Sequence, residues 1–151
     1  MQIEMERTTT AAPADVWAVM TDIEGSADRI SGITEVERLD DGDGFGVGTR
    51  WRETRVLFGK EASEEMEVTA VDEGHRYTVE AHNRGTHYVS DMIVEPAGTG
   101  SVLRMTFGAK QASKFSKLMA RTVGKAFEGA TRKALKQDLD DIAAAAEARS
   151  A

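Results

Sequence analysis

Residues 35–109 carry an unbroken run of strand patterns whose apolar positions, from Thr49 onward, keep a single phase through every intervening turn, and one long amphipathic helix follows. Side chains alternate between the two faces of a strand, so a one-residue slip at any turn would throw the whole apolar set to the solvent side. A two-residue loop at Gly59-Lys60 pairs Trp51 with Val68, Glu53 with Met66 and Arg55 with Glu64. Turns at 72–75, at Gly85-Thr86 and at 96–101 carry the same face through Tyr77, Val79, Ala81 and Asn83, then Tyr88, Ser90, Met92 and Val94, then Leu103, Met105 and Phe107. Arg50, Arg52, Glu65, Glu67, Thr78, Glu80, His82 and Arg104 fall on the opposite, solvent face. A strand run covered by one helix makes a curved sheet closed on one side around an interior, and such an interior can hold a ligand.

The flanking segments complete an α+β chain. Gln2, Glu4 and Glu6 alternate with Ile3 and Met5, which predicts a half-buried opening strand over 2–10. Pro13 opens a helix where its missing N–H costs nothing, with Val16, Trp17, Met20 and Ile23 as the apolar stripe and an end near Gly25. A second short turn over 26–30 is anchored by Ile30 and Ile33. The last segment, about 113–148, is helical by period. Phe115, Met119, Thr122, Val123, Ala126, Phe127 and Ala130 form its apolar side. Ala126 and Ala130 sit near the centre of that side and leave space above the sheet. Leu135, Leu139 and Ile142 define a different face, which predicts a bend or separate packing of the last turns.

Composition bounds the function. A chain of 151 residues fits one domain, 1–151, with room for a pocket. The absence of cysteine removes disulfides and thiolate chemistry and leans toward a reducing cytoplasm. A formal charge of −7 argues against general nucleic-acid binding. No apolar run approaches the roughly 20 residues of a bilayer span, and residues 1–10 read as neither signal peptide nor anchor. The glycine-dense stretch at 40–48 lacks both the spacing of a dinucleotide fingerprint and the ligand pattern of a calcium loop, since Phe45 and Val47 hold ligand positions. It reads as a hairpin loop. His75 falls in a turn and His82 and His87 on the outer face, so neither a metal triad nor a nucleophile–histidine pair is expected, and no cofactor.

Three groups of residues carry a resemblance. They are the opening strand leading into Ala12-Pro13-Ala14-Asp15-Val16-Trp17 with Asp22 closing that helix, then Gly46-Val47-Gly48-Thr49-Arg50-Trp51-Arg52, then Glu95-Pro96 followed by Gly100-Ser101-Val102-Leu103. In these the chain resembles the START-like (SRPBCC) superfamily, in the branch of polyketide cyclase/dehydrase and lipid transport proteins. The resemblance spans essentially the whole chain. It implies a helix-grip fold, a curved antiparallel sheet wrapped around a long C-terminal helix with two short helices after the first strand, and a cavity between sheet and helix. That superfamily fixes no universal catalytic residue, so none is carried over.

The candidate cavity lining is Trp51, Glu53, Arg55, Glu64, Met66, Tyr77, Tyr88, Ser90, Met92, Met105 and Phe107 from the sheet, with Phe115, Met119, Val123 and Ala126 from the helix. Methionines give polarisable, adaptable walls, and a few convergent polar groups orient a small molecule. Arg55 and Glu64 are read as a directly opposed pair that either closes the rim or anchors a ligand. Glu53 is the deeper acid; it acts as a proton donor or acceptor if unpaired, or bridges diagonally to Arg55. Three functions remain open: a carrier of a mostly apolar or amphipathic small molecule such as a lipid, isoprenoid or aromatic polyketide-like compound; a cyclase or dehydratase using Glu53 as acid or base with Arg55 or Tyr77 polarising a carbonyl; and an accessory protein. The accessory reading rests on the basic stripe of Lys110, Lys114, Lys117, Arg121, Lys125, Arg132, Lys133 and Lys136, which permits transient contact with an anionic membrane surface.

Overall fold

A computed structural model describes residues 2–57, 59–111 and 114–150, with the side chains at 111, 114–124 and 150 left undescribed. The chain runs β1 (Gln2–Thr9), α1 (Pro13–Thr21), α2 (Ser26–Arg29), β2 (Ile33–Arg38), β3 (Arg50–Leu57), β4 (Lys60–Asp72), β5 (Arg76–Asn83), β6 (Thr86–Ala97), β7 (Gly100–Gln111) and α3 (Lys114–Ser150). The seven strands form one sheet in the order β1-β7-β6-β5-β4-β3-β2, with every neighbouring pair antiparallel. This is the helix-grip arrangement: hairpins follow one another from β2 to β7, β1 closes onto β7, and α3 packs against α1, β1 and β7.

The faces of the sheet agree with the alternation, but the strand partners do not. Leu57 pairs with Lys60, so the β3–β4 turn closes one residue earlier than expected and every partner moves by two. Trp51 lies opposite Met66, Glu53 opposite Glu64, and Arg55 opposite Ala62, which corrects the expected Arg55–Glu64 pair. A shift of two keeps side-chain parity, so each residue stays on its face while its neighbour changes. The same holds at β5–β6, where Asn83 pairs with Thr86 across Arg84 and Gly85, at φ 50° and 78°. Two consecutive positive φ values fit the twist of a two-residue hairpin. In β4 a bulge between Val68 and Ala70 is offset by a turn of three residues where four were expected, and Val68 pairs with Val79.

The apolar core joins α1, the sheet and the C-terminal half of α3. Val16, Val19 and Met20 of α1 pack with Trp51, Val68, Met92, Val94 and Leu103 of the sheet and with Leu139, Ile142 and Ala146 of α3. Leu135, Leu139 and Ile142 are therefore inward, which corrects the expected change of face. The inward stripe steps through Phe127, Thr131, Leu135, Asp138 and Ile142 at helical spacing. Its two polar members hide it in the sequence, while alanines at 126 and 130 suggest a neighbouring face; Ala126 is exposed.

Candidate functional site

Continuous with the core, the sheet, the α1–β2 segment and α3 bound a partly open cavity of about 240 Å³. Its wall is mainly apolar: Met20, Ile23, Ile30 and Ile33 from the α1–β2 segment; Trp51, Leu57, Met66, Val79, Met92, Met105 and Phe107 from the sheet; Phe127, Ala134, Leu135 and Ile142 from α3. Glu53, Arg55, Glu64, Tyr77, Tyr88, Ser90, Thr131 and Asp138 add the polar groups. The strands explain the sheet members, because inward positions two apart recur along each strand and meet the same face of their neighbours.

All eleven sheet residues expected on the wall are there. Ala126 is not: it points to solvent, and Phe127 and Thr131 take the place assigned to it. Phe115, Met119 and Val123 lie outside the residues whose side chains are described.

A charged network crosses the cavity wall. Arg55 donates from Nε to Glu53 Oε2 at 2.8 Å and from Nη1 and Nη2 to Asp138 Oδ1 and Oδ2 at 3.0 and 2.8 Å. The second contact is the two-pronged geometry in which guanidinium and carboxylate match best. Glu53 also accepts from Trp51 Nε1 at 3.4 Å. Asp138 is 2% exposed and Glu53 9%, so these charges persist because they are paired. Burial opposes the Arg55 charge, but Glu53 and Asp138 outweigh it and hold Arg55 protonated. Burial raises the Asp138 carboxyl above its ordinary range, and Arg55 pulls the other way without overcoming it. Gly32, in the turn just before β2, makes room: a Cβ there would sit 3.0 Å from Arg55 Nη1.

Glu53 is thus bridged diagonally to Arg55, and the partner that completes the network, Asp138, was not among the expected site residues. One signal for it exists in the sequence: an acid in helical phase with Leu135 and Ile142 on an apolar stripe. Glu64 accepts from Asn83 Nδ2 at 3.1 Å. The Tyr77 hydroxyl donates to the Met20 carbonyl at 2.8 Å, and its ring lies edge-on to Phe45 and Trp17, 4.9 and 5.9 Å away. Burial pushes the pKa of the Tyr77 phenol up, with the Glu53 charge adding to it, so the phenol stays neutral and serves to tie β5 to α1. Tyr88 stacks obliquely on Phe107 at 5.6 Å, its pKa pushed up by burial and then by Glu64.

The histidines stay away from the cavity. His75 Nδ1 lies 3.0 Å from the Val94 carbonyl, and His82 and His87 stack 4.3 Å apart on the outer face, with His87 Nε2 2.7 Å from Glu80. Among the described residues no group of histidine, aspartate and glutamate is placed to hold a metal ion. No helix among them is long and apolar enough to cross a membrane. In the described part of the basic stripe Arg132 bonds Glu128 and Lys136 bonds Asp140, which neutralises part of its charge.

Comparisons with known proteins place this geometry in context. A protein of solved structure from Thermus thermophilus superposes with a TM-score of 0.83 at 19% identity, with 100% of both chains covered. The Zhui aromatase/cyclase from Streptomyces sp. R1128 gives a TM-score of 0.81 at 18% identity, covering 100% of this chain and 96% of that one. A START superfamily protein from Mycobacterium smegmatis gives 0.68 at 12% identity, covering 92% and 97%. At these identities the likeness establishes the fold. Among curated proteins none matches the chain by sequence. The family model described as polyketide cyclase/dehydrase and lipid transport matches residues 1–147, and the chain belongs to that family.

Proposed function

We propose that the protein binds and holds a mostly apolar small molecule, of lipid, isoprenoid or aromatic polyketide-like character, in the cavity between sheet and α3, without transforming it. One observation carries this reading: the cavity is formed in advance and mainly apolar, and its guanidinium is already committed to Glu53 and Asp138. Preformed apolar pockets with few polar groups are the usual setting for small-molecule binding. The experiment is native mass spectrometry of the purified protein, which is expected to reveal a co-purified small molecule that organic solvent extracts. Only the mass of the bare chain under gentle ionisation would count against the reading.

A second reading, cyclase or dehydratase, is supported by the family description and by the likeness to the Zhui aromatase/cyclase. In it Glu53 moves a proton and Arg55 polarises a carbonyl; Tyr77 drops out, because its hydroxyl is held by Met20. With the extracted molecule in hand, Glu53→Gln separates the two. A carrier changes its affinity modestly, by about 1 kcal/mol for one polar contact. An enzyme keeps its binding and loses turnover by roughly 10²-fold or more.

A further inference from the structure

The charge on the cavity wall is unbalanced. Among the described lining residues the ionisable acids are Glu53, Glu64 and Asp138, and the cationic group is Arg55. Arg55 is saturated on two sides, by Glu53 at 2.8 Å and by both oxygens of Asp138. Glu64 has no share in it. Glu64 stands directly opposite Glu53 on the adjacent strand, where like charges destabilise a sheet, and among the described residues its hydrogen-bond partner is the neutral amide of Asn83 at 3.1 Å. The described lining carries a negative surplus whichever protonation state Asp138 takes.

Resting on the binding reading above, we infer that the cavity is selective for the charge of its ligand: it takes an amphipathic molecule whose polar end is an ammonium group or a hydrogen-bond donor, seated against Glu64, and it rejects carboxylates. An ammonium donates to the free capacity of Glu64 and relieves its repulsion with Glu53. A charge-assisted hydrogen bond of this kind is stronger than a neutral one. A carboxylate meets two acids and an arginine with no unshared charge to offer, and desolvating it without a partner is costly. Apolar lining fixes the body of the ligand while Glu64 fixes the sign of its head.

The test uses three probes that share one tail: octylammonium, 1-octanol and octanoate, displacing the neutral dye Nile red near neutral pH. The expected order of affinity is octylammonium, then octanol, then octanoate, with roughly tenfold or more between the charged pair. Glu64→Gln keeps the shape and the Asn83 contact; it is expected to weaken octylammonium far more than octanol and so erase the octylammonium advantage. Asn83→Lys, which supplies an internal cation, is expected to erase it too, so the result does not hang on one variant. Octanoate binding as tightly as octylammonium, or an order that survives both substitutions, overturns the inference and leaves the binding reading standing. Failure of all three probes and of Nile red to bind takes down the binding reading, and this inference with it.

Discussion

Asp138 decides the polarity of the cavity although it sits in the middle of an apolar helix face. Removing its carboxylate leaves Arg55 facing the interior with half its partners gone. Breaking a buried pair in this way costs about 3–5 kcal/mol, and partial access of Arg55 to water puts the expected loss for Asp138→Ala near the lower end, measured by urea unfolding. Replacing all three members, as in Arg55→Met with Asp138→Leu and Glu53→Leu, is expected to recover most of that loss, because no buried charge is then left without a partner. The pH dependence has a definite sign. The folded value of Asp138 lies above the ordinary carboxylate value, so its contribution is fullest at low pH and declines as pH rises through the folded value. Urea melts across acidic to neutral pH are therefore expected to show wild type gaining on Asp138→Asn as pH falls. A gap that widens with rising pH contradicts this.

At the scale of elements, faces were legible and partners were not. Alternation reports which side of the sheet a residue occupies, and the eleven sheet residues of the wall follow from it. Register depends on where each turn closes, and a turn displaced by one residue moves partners by two without disturbing the alternation. That is why alternation sets Arg55 opposite Glu64 while the folded chain sets it opposite Ala62, its guanidinium free to bond Asp138, 83 residues away. The inner face of α3 was obscured for a different reason: Thr131 and Asp138 lie on it, and the apolar alanine at 126 does not. Helix-face assignment from apolar residues fails where a cavity admits polar ones. Two substitutions check the corrected stripe by thermal or urea unfolding. Leu139→Ala, in the packed end of α3, is expected to cost about 2–5 kcal/mol. Ala126→Leu, on the exposed face, is expected to stay within about 0.5 kcal/mol.

The whole molecule divides its helix between two tasks. Leu139, Ile142 and Ala146 pack with α1 and the sheet into a core, while Phe127, Thr131 and Ala134 line a partly open space above the same sheet. A sheet made of consecutive hairpins supplies both, because inward positions continue past the point where α1 stops covering them. The central claim is that this space receives an apolar molecule. Nile red titration of wild type and Ala134→Phe, with unfolding curves to establish that both fold, tests it most directly. The added ring fills the cavity from the helix side, and the account predicts saturable binding to wild type that weakens by roughly tenfold or more in the variant. Equal binding to the two folded proteins, or none to wild type, would contradict it.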